Sequence, residues 1–206
     1  MTTPALPHET PMAYFKNLVD QAIAHQRLDS SEDSAFYLVQ LLDAFIRPDR
    51  VFARAGIAEH TALGEVYCHA ANQDGVRKFM LYKLVGDASL FLAGFFPEGC
   101  GGRHKLVGPQ YFMRLGGRAY HEAAQAARSW ASAPVLQEIG SGFARFVDVL
   151  NEVAESCALG AGQPSLLTLY QRWAETGSSR TACTLQRQGI VLQPAQITAG
   201  QAAVMH

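Results

Sequence analysis

The stretch from Leu136 to Ala154, LQEIGSGFARFVDVLNEVA, repeats its apolar residues at intervals of three and four: Leu136, Ile139, Phe143, Phe146, Val147, Leu150 and Ala154. That spacing places all seven on one side of an α-helix. It does not suit a strand, whose faces alternate at every second residue. Ser132 and Pro134 supply a start, since proline fits a first turn. Gly140 and Gly142 weaken the helix by about 1 kcal/mol each relative to alanine, yet the segment reads as one long helix. No period of two persists anywhere in the chain. The expected fold class is therefore all-α, a single-domain bundle of about seven helices.

Working outward, residues 1–11 read as a loose, proline-rich arm, 12–192 as the helical domain and 193–206 as a mobile tail. Phe15, Leu18, Val19 and Ala22 mark a first helix from Met12 to about Gln26. Ser30 or Ser31 caps a second, along which Ala35, Leu38, Val39, Leu42, Phe45 and Ile46 recur until Pro48 ends the run. Thr61 to Asn72 is a third. Gln73 to Phe96 follows, with Met80, Leu81, Leu84, Ala88, Phe91, Leu92 and Phe95 on its stripe, and then a loop through PEGCGG. Gly108-Pro109 opens a helix towards Ala131. Its small face (Gly116, Ala119, Tyr120, Ala123, Ala127) predicts close packing at the centre. Gln163-Pro164 begins another helix that Gly177 stops, and a short one follows Ser178.

The 206 residues carry 17 Lys plus Arg against 18 Asp plus Glu, so no global field favours nucleic acid or an anionic membrane. Apolar residues make up 49%, which suits a globular core rather than disorder. Cys68, Cys100, Cys157 and Cys183 are scattered with no C-x-x-C pair, which argues against a zinc knuckle or a disulfide framework. MTTPALPHETP lacks the basic and apolar regions of a secretory signal, so a cytoplasmic location is expected.

Chemistry-bearing residues are few. Asp87 stands in the apolar run LYKLVGDASLFLAGFF, at +3 from Leu84 and +7 from Met80, on the edge of the stripe. A carboxylate there needs a partner. Either it caps a helix that restarts after Gly86, or it is held by Tyr82, Arg118, Tyr120 or His121 in an ion pair or a polar pocket. Arg114, Arg118, His121, Gln125 and Arg128 form a second face of their helix. Asp148, Asn151, Glu152 and Glu155 form another, and the two could pair across a hairpin or a dimer. Glu65 and His69 share a helical face, but a surface pair looks the same. The Glu-x-x-His and H-E-x-x-H spacings are absent, so no metal site is expected. There is no nucleophile elbow or phosphate loop, and no catalytic residue can be named.

Two resemblances attach to these motifs. VGDASLFLAGFF, YFMRLGGRAYHEAA and WAETGSSR resemble a family of uncharacterised bacterial helical proteins of about this length. Leu84 to Ser89, LVGDAS, is similar to the distal-helix segment of haem oxygenases, although Leu90-Phe91 stands in place of that family's paired glycines. The second resemblance implies haem as a cofactor and His25 as its iron ligand; otherwise no cofactor is expected. The sequence leads to a non-catalytic or regulatory protein-binding module that self-associates, on the strength of Phe95 and Phe96 beside a glycine-rich loop. The alternative is a binder of a small or haem-like ligand, an enzyme included, whose pocket lies near Asp87 and Tyr120.

Overall fold

The computed structural model describes residues 10–58, 61–95, 108–127, 130–157, 173 and 177–187. Among these are nine helices and no strand: α1 Pro11–Gln26, α2 Glu32–Phe45, α3 Pro48–Arg54, α4 Leu63–Ala71, α5 Gly75–Phe95, α6 Pro109–Ala126, α7 Ala133–Ser141, α8 Phe143–Cys157 and α9 Ser179–Arg187. The all-α expectation holds and the count of about seven does not. Pro48 ends α2 as expected, but it also occupies the first turn of α3, where its missing N–H costs nothing. Gly142 splits the segment read as one long helix. Its N–H still bonds to the Glu138 carbonyl at 2.9 Å, and its own carbonyl then accepts from Arg145 at 2.8 Å to begin α8.

The chain divides into two compact units, Met1–Gln163 and Pro164–His206, where the sequence reads as one domain. In the second unit, the Ser178 hydroxyl caps α9 by accepting from the Thr181 N–H at 3.2 Å. The arm up to residue 9, the tail, the PEGCGG loop and nearly all of the helix expected from Pro164 lie outside the described residues.

In the first unit α5 is the centre. From Leu81 to Gly94 most of its residues are buried, as in a core helix rather than a surface one, and it packs against α2, α4, α6 and α8. Small residues set how close its neighbours come. A Cβ on Gly94 would lie 2.4 Å from the Cβ of Leu150 on α8. The small face of α6 is buried as expected, with Gly116, Ala119, Tyr120, Ala123 and Ala127 all inside. Gly117 and Gly140 mark where α6 and α7 come together: a Cβ on either would sit 3.2–3.4 Å from the other's carbonyl oxygen.

α1 packs against α2 and α8. The Gln26 side chain donates to the Asp148 carbonyl at 3.1 Å and to Glu152 at 2.7 Å, while His25 Nδ1 lies 2.8 Å from Glu152. Glu152 of the α8 polar stripe therefore meets α1. Arg114, Arg118 and Gln125 are exposed, and Arg128 lies outside the described residues.

Ser31 is the cap of α2, accepting from the Ser34 N–H at 3.1 Å. Its own N–H and hydroxyl donate to Glu138 of α7 at 2.8 and 2.6 Å. A residue from another helix thus does what the third helical residue does in a capping box. Burial pushes the Glu138 carboxyl up, but these bonds outweigh it and leave the group below its ordinary value of 4.5. Glu138→Ala should lower stability by about 1 kcal/mol, seen as a lower urea midpoint. A carboxyl depressed by folding stabilises above its unfolded value and loses that contribution as pH falls through the folded one. The gap between native and variant should therefore narrow below pH 4.5.

Candidate functional site

Asp87 does not cap a helix. α5 runs unbroken from Gly75 to Phe95, and Asp87 sits within it, buried. Gly86 is there for space, not for a break: a Cβ would come within 2.7 Å of the Tyr120 ring. Three donors hold the carboxylate. Tyr120 of α6 donates to Oδ1 at 2.8 Å, Tyr37 of α2 to the same oxygen at 2.5 Å, and Lys83 of α5 to Oδ2 at 2.6 Å. The Lys83 ammonium also lies 4.9 Å from the centre of the Tyr37 ring, a cation–π placement. Tyr37 and Tyr120 meet edge to face at 6.1 Å.

Electrostatics keep the two tyrosines protonated. Burial, then the negative charge of Asp87, raises both Tyr37 and Tyr120 well above the ordinary tyrosine value of 10.0. A tyrosine serving as base or nucleophile needs the opposite shift, so these hydroxyls are anchors. The folded form retains protons that the unfolded chain releases. Stability contributed by the pair is therefore full below pH 10.0 and is lost as pH rises from there towards the folded value. Tyrosinate absorbance should rise in two steps, the second coinciding with loss of helical circular dichroism. A single step completed while the helices persist would contradict the cluster.

Tyr37, Lys83 and Asp87 border an open recess of about 360 Å³ between α2, α3 and α5, whose other walls include Leu41, Phe45 and Leu84. A second recess of about 560 Å³ adjoins it, sharing Gln40, Ala44, Val51 and Arg54 and adding Met12, Ile46, Arg47 and Arg50. Both volumes fall within the range of about 300–1,000 Å³ usual for small-molecule sites. Met80 and Ile46, expected on core-facing stripes, are 37% and 52% exposed and stand on these walls, as does Met12 at 40%.

Of the partners expected for Asp87, only Tyr120 is one. Tyr82 is buried against Tyr67, with ring centres 5.0 Å apart. Arg118 lines a separate surface recess with Tyr67, Tyr111 and Arg114, so it is not the ion-pair partner. His121 Nδ1 lies 3.2 Å from Gln137 Oε1, beside Gly140. Lys83 and Tyr37 were not anticipated. Lys83 could have been found, because it lies one helical turn before Asp87; Tyr37, 50 positions away, leaves no such trace.

The haem-oxygenase arrangement does not fit. His25 faces Glu152 of α8 and does not line the recess beside Asp87. The space over Gly86 that a porphyrin would need is filled by the Tyr120 ring. Among the described residues no group of three His, Cys, Asp or Glu side chains could hold a metal ion, Glu65 and His69 included. Among them, too, no helix is long and apolar enough to cross a membrane. No protein-family model matches the chain, and no curated protein or solved structure matches it either.

Proposed function

We propose that this chain is a non-catalytic binding protein for a small, largely apolar molecule, taken up in the recess between α2, α3 and α5. The observation that carries this reading is an apolar-walled recess, open to solvent, beside a carboxylate whose donors are already in place. Such a carboxylate fixes the shape of the site, and the two tyrosines beside it are held protonated. Large apolar side chains left at the surface mark binding areas when they cluster, and Met12, Ile46 and Met80 do so here. The self-associating module expected from Phe95 and Phe96 draws less support. Phe95 stacks on Phe91 at 5.0 Å, and Phe91 on Phe45 at 4.6 Å, so Phe95 faces the core; Phe96 lies outside the described residues.

A neutral, environment-sensitive naphthalene dye tests the proposal. The native protein should bind it saturably at one site. Ala44 is exposed and borders both recesses, so Ala44→Trp should fill the site, weaken binding at least about tenfold and leave the unfolding midpoint unchanged. Absence of saturable binding, or binding indifferent to Ala44→Trp, would sink it.

A further inference from the structure

Arg47, Arg50 and Arg54 stand along one edge of the joined recess, and Arg54 also borders the part beside Asp87. Their spacing of three and four puts them on one face of α3 and its N-cap. All three are exposed, and none forms an ion pair with a described residue. Asp43 lines the same recess and Asp49 lies on α3, yet neither pairs with them. Like charges at this spacing repel one another, and no ion pair with a described residue offsets that. Lys83 is different: its charge is already matched by Asp87 at 2.6 Å. The site is therefore apolar along its walls, neutral at the Asp87 end and cationic along the α3 edge.

We propose that the recess takes a single-chain amphipathic carboxylate, its head on Arg50 and Arg54 and its chain against Ala44, Val51 and Met80. This rests on the small-molecule reading above and adds the ligand class. Guanidinium groups suit such a head because their paired N–H donors match the two oxygens of a carboxylate. A cationic amphiphile is disfavoured by the same edge, which sets three guanidinium groups against the single Asp43 carboxylate, while the carboxylate of Asp87 already has its donors.

Decanoate, kept below its micellar concentration, is the probe, with the neutral dye as reference. The native protein should bind decanoate saturably and less tightly as salt is added. The double variant Arg50→Gln/Arg54→Gln should weaken decanoate by about tenfold or more, as loss of charge-assisted pairing implies, while dye affinity stays unchanged. Dye binding without decanoate binding, or a double variant that weakens both alike or neither, overturns the ligand class and leaves the recess reading standing. Failure of both probes removes both readings together. Two other results also overturn the carboxylate. One is a dimer that the double variant splits without altering decanoate binding, which would make a second copy the occupant. The other is flotation with phosphatidylglycerol vesicles but no saturable decanoate binding, which would assign the arginines to a membrane surface.

Discussion

Asp87→Ala is expected to cost about 3 kcal/mol of folding stability, at the lower end of the range for breaking a buried pair. Two terms set that figure. The Lys83 side chain is 36% exposed and can turn to water, which keeps the loss from the upper end. The Tyr120 hydroxyl cannot, because its residue is fully buried; it keeps its side-chain contact with Tyr37 but loses its bond to the carboxylate, and a hydrogen bond to a charged group is worth about 1.5–3 kcal/mol. Asp87→Asn keeps an oxygen where Tyr37 and Tyr120 donate but sets an NH2 group where Oδ2 accepts from Lys83; Lys83 can turn to water, so the change should cost about 1–2 kcal/mol. Urea denaturation of the two variants beside the native chain gives both numbers. Alanine within 1 kcal/mol of native would show that Asp87 does not hold α2, α5 and α6 together. A ligand-binding role would then be the reason for the residue.

Gly94→Val should be as damaging, for a steric reason. Glycine in a helix interior is worse than alanine by about 1 kcal/mol, so at an open position a larger residue would help. Here the first added carbon meets the Cβ of Leu150 at 2.4 Å. That atom is fixed to the α8 backbone and cannot rotate away, so the two helices must part. Overfilling a packed core costs about 1–3 kcal/mol, and the branched side chain puts this variant at the upper end. A fall in thermal midpoint with retained helical circular dichroism is the expected signature. An unchanged midpoint would mean that α5 and α8 lie farther apart than the Gly94–Leu150 approach requires.

Both predictions depend on contacts that the sequence displays unequally. Periodicity revealed the buried faces of α6 and α8, because helical spacing is local and survives in one chain; on α5 it picked out one stripe of a helix that is buried well beyond it. The same periodicity placed Ile46 and Met80 in the core, and it failed there for a definite reason. A stripe shows which side of a helix is apolar but not whether a neighbour covers its whole length, and α3, which flanks both residues, was hidden behind the proline that ends α2. Gly142 misled in the same way. Its local cost was recognised, but whether the chain continues or restarts there is settled by what α7 and α8 pack against. For Asp87, the need for partners could be read from burial alone. Tyr120, one of the four candidates, lies on the small face of α6 that the sequence places inside. Tyr37 was missed because nothing local joins α2 to the middle of α5.

The two sides of the recess differ in how firmly they are held. α5 buries eleven of its residues and is surrounded by helices, whereas α3 buries only Phe52. Segments with little buried apolar contact open at low free energy, while the core opens only when the whole fold does. Amide hydrogens around Leu81 to Leu90 should therefore exchange with deuterium at the rate of global unfolding, and those of α3 much sooner. Occupancy of the recess would then register almost entirely on one wall: α3 amides would gain protection on binding, and α5 amides would slow only as far as the ligand stabilises the fold as a whole.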